Sequence, residues 1–308
     1  MKNLITLGEV YDRVDELSKN CHDKLVEVKH ISFDSIDQIN ISGEIYRLKP
    51  LAQYSVAYRL GIPLQYLKRC PEDVQAFNLN YWIGHEKNER LFFRFDGDKV
   101  RAIFTPKYIP VDNFEILERL DSLGFRADTK VQCHLDDEFM SLSIPDSNKT
   151  FLIDGNKITP GISICNSEVG LSSLRVLAFF LRLVCTNGLV IQDKVSASFR
   201  HVSRKILSEL PNTFEEVALK LSYQREKWKI SIQSPVDDPI STMENLNKRF
   251  QLRKGEQEAV EWGWSMEPGK TMFHVVNAYT RGAQFNGLSA ESRYRLQKVG
   301  GDILSMLS

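Results

Sequence analysis

The chain of 308 residues has no long apolar run and no recognisable leader sequence. A membrane-spanning helix needs roughly 18 or more consecutive apolar residues, and no stretch approaches that length. The N-terminal segment MKNLITLGEVYDRVDEL soon meets charged residues and lacks an apolar core, which excludes a secretory signal peptide. We therefore expect a cytoplasmic protein that makes no contact with a membrane.

Cysteines are few, and their spacing does not pair them. They are odd in number and scattered, and no C-x-x-C motif occurs, so neither a disulfide framework nor a zinc clip is indicated. The cysteines are Cys21, Cys70, Cys133, Cys165 and Cys185. We expect reduced, mostly buried thiols.

A metal site is also not indicated by the histidines. Cys133 and His134 precede an acidic run, Asp136 to Glu138. Neighbouring residues of a strand point to opposite faces, so Cys133 and His134 would not converge on one ion. The sequence predicts a polar loop here and no bound metal.

An excess of charge of one sign is absent as well. The chain has 40 Lys and Arg residues against 40 Asp and Glu residues, so any binding to nucleic acid requires a local patch. The marked motifs of phosphate loops, dinucleotide sites, zinc proteases and serine hydrolases do not occur. What is present is a hydrophobic fraction of 42%, which is ample for a core. The sequence predicts a folded protein without a cofactor.

The order of patterns along the chain predicts an α+β protein, with an antiparallel sheet packed by helices and a helical C-terminal part. The segment SIQSPVDDPISTMENL, residues 231–246, contains two prolines, adjacent aspartates and small polar residues, which is typical of a linker. We place a boundary there, between an α+β main domain at 1–235 and a helical region at 236–308. A long surface loop is the alternative.

Residues 47–71, RLKPLAQYSVAYRLGIPLQYLKRCP, predict a pair of short helices. Pro50 suits a first helical turn, and Gly61-Ile62-Pro63 breaks the helical pattern. The spacing also fits a helix-turn-helix DNA reader, but the second helix would be short and rich in Leu and Tyr. A structural helix pair is therefore favoured.

Residues 77–124 predict the order strand, strand, strand, helix, a β-β-β-α unit. Leu91, Phe93 and Phe95 alternate with polar residues, as in a strand with one face in a core. Asp96-Gly97-Asp98 supplies the turn of a hairpin, since glycine takes a positive φ there. Val100, Ala102 and Phe104 are assigned to one face of the returning strand and Lys99, Arg101 and Ile103 to the other.

In the simplest register, this hairpin has a basic face with aromatic residues among the cations. Such a face suits single-stranded nucleic acid, because the cations neutralise phosphates and the rings stack on bases. Four phosphate contacts would give a salt slope of roughly −3. The alternative is an ordinary solvated face. The predicted nucleic-acid-binding residues are Trp82, Arg90, Phe92, Arg94, Lys99, Arg101 and Lys107.

Residues 166–190, NSEVGLSSLRVLAFFLRLVCTNGLV, predict a mostly buried helix. Glu168, Ser172, Arg175 and Arg182 fall along one stripe of that helix. Asn166 or Ser167 would cap its start, and Gly188 would provide a left-handed cap at its end. A buried guanidinium needs a partner, either Glu168 or an anion from a ligand.

A second polar stripe lies near the C-terminus. His274, Asn277 and Arg281 recur at helical spacings of three and four residues. They are candidates to bind an anion or a phosphorylated ligand together with Arg175 and Arg182. An exposed helix face explains the stripe equally well.

Four segments of the chain carry a family resemblance: PLAQYSVAYRLGIPLQYL (50–67), RAIFTPKYIPVDN (101–113), GISICNSEVGLSSLRVLAFFLRLVCTNGLV (161–190) and FHVVNAYT (273–280). In the same order, they resemble the signature segments of a phage- and plasmid-like family of prokaryotic domains of unknown function. The resemblance implies a home on mobile genetic elements and implies no reaction. The strand order of 77–124 is also similar to phage single-strand annealing proteins, which form rings on single strands.

Together these patterns predict a homo-oligomeric, non-enzymatic protein that binds single-stranded DNA or RNA in recombination or replication. The first alternative is an enzyme acting on a nucleotide or phosphorylated substrate near Arg175, Arg182 and His274. The second is a regulatory or host-interaction adaptor that uses the helix pair at 50–70.

Overall fold

A computed structural model describes residues 4–153, 155–182, 187–191, 197–199, 212 and 226–307. The chain divides into two compact units. The first contains Met1–Asp12, Asp112–Ser167 and Leu171–Ser308, and the second contains Arg13–Val111 and Glu168–Gly170. Both are built from strands and helices, so the predicted α+β class is confirmed.

The second unit is built on a sheet in which six strands are described, in the order β2-β6-β7-β5-β4-β3. All neighbours pair antiparallel except β5 and β7, which pair parallel. The strands are β2 (Cys21–Glu27), β3 (Ile31–Phe33), β4 (Gln38–Ile41), β5 (Glu44–Leu48), β6 (Arg90–Asp96) and β7 (Lys99–Phe104).

Three helices cover one face of this sheet. They are α2 (Pro50–Arg59), α3 (Leu64–Leu67) and α4 (Glu72–Ile83). Apolar residues of all three helices join one core cluster with the alternate residues Leu91, Phe93 and Phe95 of β6. The predicted helix pair at 50–70 is confirmed, with Pro50 in the first turn of α2.

The first unit is built on a larger sheet, in which the path β1-β8-β9-β11-β12-β13 is joined by β10 on β11 and β14 on β12. All of these pairs are antiparallel. The strands are β1 (Ile5–Thr6), β8 (Lys130–Leu135), β9 (Met140–Pro145), β10 (Phe151–Ile153), β11 (Asn156–Asn166), β12 (Leu174–Arg182), β13 (Asn187–Ile191) and β14 (Ala197–Phe199).

Helices dominate the C-terminal part of the first unit, as predicted. Val276 and Tyr279 of α9 and Leu296 and Ile303 of α10 share a core cluster with Phe180 of the sheet. Among the described residues, no helix combines the length and the apolar character needed to cross a membrane. The helices are α1 (Leu7–Ser18, ending in the second unit), α5 (Asn113–Ser122), α6 (helical residues 226–233), α7 (Pro239–Arg249), α8 (Lys254–Met266), α9 (Met272–Gly282) and α10 (Ala290–Ser305).

The first strand of the predicted β-β-β-α unit is wrong. Residues 77–83 belong to α4, so the observed order over 77–124 is helix, strand, strand, helix. The run FNLNYWI looks like alternation of apolar and polar residues, but Gln75, Leu79 and Ile83 are the buried positions. Their spacing of four residues is that of a helix.

The predicted helix at 166–190 is also wrong, because this segment forms strands. β11 ends at Asn166, a turn follows, and β12 and β13 return antiparallel to their neighbours. The turn contains Gly170 at φ +91°, a conformation that other residues rarely adopt. A short apolar run buried on both faces is ambiguous between strand and helix, which explains the error.

The residues predicted to cap that helix, Asn166 or Ser167 and Gly188, therefore do not cap a helix. The Ser167 hydroxyl donates to the Glu138 carbonyl (2.7 Å) and accepts from the Leu171 N–H (3.0 Å), which closes the β11–β12 turn. Gly188 lies inside β13, where an added Cβ would meet the Gln132 amide oxygen at 2.1 Å. Cys185 and Thr186 lie outside the described residues.

The predicted boundary near residue 235 does not separate the two units, since Leu171–Ser308 belongs to the first. Within the linker-like segment, only residues 234–238 form a connection, between α6 and α7, and its other residues belong to these two helices. Asp238 accepts a hydrogen bond from the Ser241 N–H (3.0 Å) and caps that helix, with Pro239 in its first turn.

Candidate nucleic-acid interface

The β6–β7 hairpin is present as predicted, with Gly97 at φ +56° in its turn. Its register contains a bulge, because Arg94 faces Ala102 whereas Phe95 faces Val100. The extra residue, Arg101, shifts the alternation beyond it. Ile103 therefore enters the core beside Phe93, and Phe104 faces Phe92 on the opposite side, which corrects the predicted faces of β7.

Arg94 and Arg101 are buried, contrary to the expectation that they lie in solvent. Their relative exposures are 3% and 5%. Arg94 Nε donates to Asp23 (3.0 Å), and its NH1 donates to the Glu168 carbonyl (3.2 Å). Arg101 NH2 donates to the Glu168 carboxylate (3.1 Å). These two arginines are therefore internal cations with protein partners.

Two further groups complete this cluster. The Tyr108 hydroxyl donates to the Glu168 carbonyl (3.2 Å), and Arg101 NH1 lies 3.1 Å from the Cys21 sulfur. Burial raises the pKa of the Cys21 thiol, and the Arg101 charge offsets only part of that rise. The thiol is thus held protonated, and the cluster has the character of a structural ion-pair network.

The remaining predicted cations of the hairpin are exposed but separated by buried groups. Arg90 lies at the start of β6, Lys99 at the start of β7 and Lys107 in the turn after β7. Phe92 is half-buried, and its ring contacts the ring of Tyr108 with centroids 5.4 Å apart. The hairpin face does not present a continuous basic surface.

Trp82, the last member of the predicted set, lies on α4 in a group of exposed aromatic residues that sequence reasoning missed. Phe77, Tyr81 and Trp82 have relative exposures of 71%, 52% and 46%. The Tyr81 ring lies 6.4 Å from that of Phe77, 5.2 Å from that of Trp82 and 4.8 Å from that of His85. We call these four residues the α4 ring surface.

The α4 ring surface is held in place by side-chain amides on the same helix. Asn80 donates to the Phe33 carbonyl and accepts from the Phe33 N–H, both at 2.8 Å. Gln75 accepts from the Ile36 N–H (2.9 Å) and donates to the Cys70 carbonyl (2.9 Å). These bonds tie α4 to β3 and to the segment after it, so the rings stand on a fixed support.

Charged residues of both signs line the segment between α4 and β6. Arg90 lies 3.7 Å from the Glu27 carboxylate, which also pairs with Lys29 at 2.7 Å. Lys87 is exposed and has no carboxylate within ion-pair distance among the described residues. The segment that follows α4 therefore carries one exposed lysine, Lys87, and leads to an exposed arginine, Arg90, that is paired with Glu27.

In the first unit, Arg182 is buried against a carboxylate from the C-terminal part. Its relative exposure is 7%, and it binds Glu267 through two hydrogen bonds of 2.7 and 2.8 Å. Arg182 also donates to the Asn156 side-chain oxygen and lies 4.9 Å above the Phe273 ring. Glu267 is thus the partner that the sequence did not reveal, since 85 residues separate the two.

Two members of the second predicted stripe join this pair. Asn277 donates to Glu267 at 2.5 Å, and Arg281 lies 3.6 Å from it. Burial raises the pKa of Glu267, but the hydrogen bonds and charges of its partners outweigh burial and hold the pKa below its ordinary value. An internal carboxylate therefore occupies the position that a bound anion would take.

Arg175 and His274 were predicted to join Arg182 in one site, and this prediction is wrong. Arg175 and Arg182 are seven residues apart, which places them on opposite faces of a strand. Arg175 is half-buried and contacts the Ser173 hydroxyl (3.4 Å), and no carboxylate partner is found for it in the described chain. His274 bonds to the Thr271 hydroxyl (2.9 Å) at the start of α9.

The acidic run after His134 forms a turn. Asp136 accepts hydrogen bonds from the N–H groups of Glu138 (3.1 Å) and Phe139 (2.9 Å). His134 points toward Gln297, with 3.2 Å between their nitrogens. No group of three or more metal-binding side chains occurs in the part of the chain that the structure describes.

The fold and these sites define an α+β protein with two sheets, a buried ion-pair cluster in each unit and an exposed ring surface on α4. Residues 102–284 match the family described as Domain of unknown function (DUF932), and the chain belongs to that family. The α4 ring surface precedes the matched residues. No curated protein and no solved structure matches the chain.

Proposed function

We propose that this protein binds single-stranded DNA or RNA without acting on it chemically, and that the α4 ring surface is the contact site. The observation that carries the proposal is the exposure of Phe77, Tyr81 and Trp82 on one helix with a fixed support. Exposed rings stack on unpaired bases, and each stacked base contributes about 1 to 3 kcal/mol.

The exposed cations also favour a nucleic acid as the partner, but they are fewer than the sequence predicted, so phosphate contacts contribute less to binding. Lys87 lies in the segment between α4 and β6, and Arg90 lies at the start of β6; both are exposed and can contact phosphates. Arg94 and Arg101 do not contribute, because both are committed to protein partners. Two phosphate contacts correspond to a salt slope of about −1.4, which is half of that for four contacts.

The biological setting belongs to the same proposal. The resemblance to phage- and plasmid-associated proteins favours a role on mobile elements, in recombination or replication. A cytoplasmic homo-oligomer that holds single strands, as in strand annealing, fits that setting. Size measurement by light scattering, with and without an oligonucleotide, tests the oligomeric part separately.

The binding site is tested by fluorescence anisotropy with labelled single-stranded DNA and RNA of about 20 nucleotides at low salt. Trp82→Ala and Tyr81→Ala are each expected to weaken binding by about 1 to 3 kcal/mol. Phe114→Ala, which removes another exposed ring on α5, is the control and should bind like the wild type. Absence of binding by the wild type to either strand would refute the proposal.

A further inference from the structure

A second pair of exposed rings lies on α2. Tyr54 and Tyr58 have relative exposures of 56% and 78%, and their rings stack with centroids 6.2 Å apart and an interplanar angle of 17°. Neither ring is needed for the core, since α2 already buries Ala52, Val56 and Ala57. Large rings kept in solvent on a helix are typical of a binding surface.

The tyrosine pair and the α4 ring surface face the same side of the second unit. Val56 and Leu60 of α2 join the same core cluster as Leu79 and Ile83 of α4. The cluster lies on one face of the sheet, because it contains Leu91, Phe93 and Phe95 of β6 and lacks Phe92, which points to the other face. Both helices therefore cover one sheet face, and their outer surfaces point away from it together.

An ion pair joins the ends of the two ring groups. Arg59, next to Tyr58, lies 3.5 Å from the carboxylate of Glu86, next to His85. Burial raises the pKa of Glu86, but bonds from Asn88 and the Arg59 charge outweigh it and lower the net value. The pair is largely buried, so it fixes the end of α2 against the segment that follows α4.

We infer that the bound single strand continues from the α4 ring surface past this ion pair onto Tyr58 and Tyr54. The inference rests on the proposed function and adds the length of strand that the protein holds. The rise along α4 from Phe77 to His85 is about 12 Å and that along α2 from Tyr54 to Tyr58 is about 6 Å. At the stacked spacing of roughly 3.4 Å per nucleotide, these two rises alone correspond to about five nucleotides.

The test compares oligodeoxythymidylates of about four and about twelve nucleotides by fluorescence anisotropy. Tyr58→Ala should weaken binding of the longer strand at least about fivefold and leave the shorter strand unaffected, because the short strand is held by α4 alone. Trp82→Ala should weaken both. Tyr58→Phe keeps the ring and should bind both strands like the wild type.

The outcomes separate this inference from the proposal on which it rests. If Tyr58→Ala binds the longer strand normally while Trp82→Ala does not, the strand stops at α4 and the extension is wrong. Equal losses in Tyr58→Ala and Tyr58→Phe would mean that the hydroxyl acts rather than the ring, which also refutes a stacking track. No binding of either oligonucleotide by the wild type refutes both ideas.

Discussion

Two regions of the second unit differ in what they bury: the β6–β7 hairpin buries charged side chains, whereas α4 leaves aromatic side chains exposed. On the β6–β7 hairpin, Arg94 and Arg101 are buried against carboxylate and carbonyl oxygens. On α4, Phe77 and Trp82 remain in solvent. A guanidinium is buried where protein oxygens satisfy its N–H groups, whereas a ring is exposed where smaller side chains already fill the core stripe of its helix.

The largest expected effect is a loss of stability when one of the buried arginines is removed. Arg94→Ala leaves the Asp23 carboxylate without its arginine partner and the Glu168 carbonyl with Tyr108 in place of two donors, and breaking a buried pair costs about 3 to 5 kcal/mol. Arg90→Ala on the same strand removes an exposed cation and should change the free energy of unfolding by less than about 0.5 kcal/mol. Urea denaturation of both variants measures the difference in the free energy of unfolding. Equal stabilities would contradict the claim that Arg94, unlike Arg90, is a buried cation with an essential partner.

The buried cluster of the first unit should follow the same rule with a defined pH dependence. Glu267→Gln weakens the bonds from Arg182 and Asn277 and should cost about 2 kcal/mol near neutral pH. The folded pKa of Glu267 lies below its unfolded value, so its stabilisation is present above about pH 4.5 and is lost as the pH falls through the folded pKa.

Unfolding measured from neutral to acidic pH checks this expectation. The stability difference between the wild type and Glu267→Gln should shrink as the solution is acidified. A difference that stays constant, or grows toward low pH, would show that the ionised carboxylate is not what stabilises the cluster.

On the exposed side, Trp82→Ala should scarcely change stability. Its ring is exposed and lies beside the rings of Tyr81 and His85, and surface substitutions usually alter the free energy of unfolding by less than about 0.5 kcal/mol. The same variant should lose affinity for single strands. A melting curve that is unchanged and a binding curve that is weakened would together show that Trp82 acts in binding and not in folding. A large loss of stability would assign the tryptophan to the core instead.

The smallest expected effect concerns charge. Lys87→Ala should reduce the magnitude of the salt slope of single-strand binding by about 0.7, the share of one phosphate contact. Lys99→Ala, which removes another exposed cation on the hairpin, serves as the matched control and should leave the slope unchanged. A flatter slope in Lys99→Ala alone would show that the hairpin, and not the region of α4, is the binding face.

Local patterns were sufficient for several elements. Pro50 and the break at Gly61-Ile62-Pro63 predicted α2 and α3, and the alternation around Phe93 with the turn at Gly97 predicted the hairpin. These elements follow from backbone preferences and periodicity within a few residues, so the sequence carries the information directly. The same holds for the helical C-terminal part.

Other elements needed the tertiary structure. The apolar run around Phe179 and Phe180 suits a buried strand as well as a buried helix, and only pairing with β11 decides between them. The bulge at Arg101 reversed the faces of Ile103 and Phe104, because one extra residue inverts the alternation beyond it. The α4 ring surface was hidden because FNLNYWI satisfies both periods.

The amino-acid sequence alone thus determined the α+β class, the hairpin and which residues carry charge or rings. Only the tertiary structure decided which of them meet: Arg101 with Glu168, and Arg182 with Glu267. The physical reason is that local preferences act over a few residues, whereas the burial of a charge depends on a partner brought from a distant segment by folding.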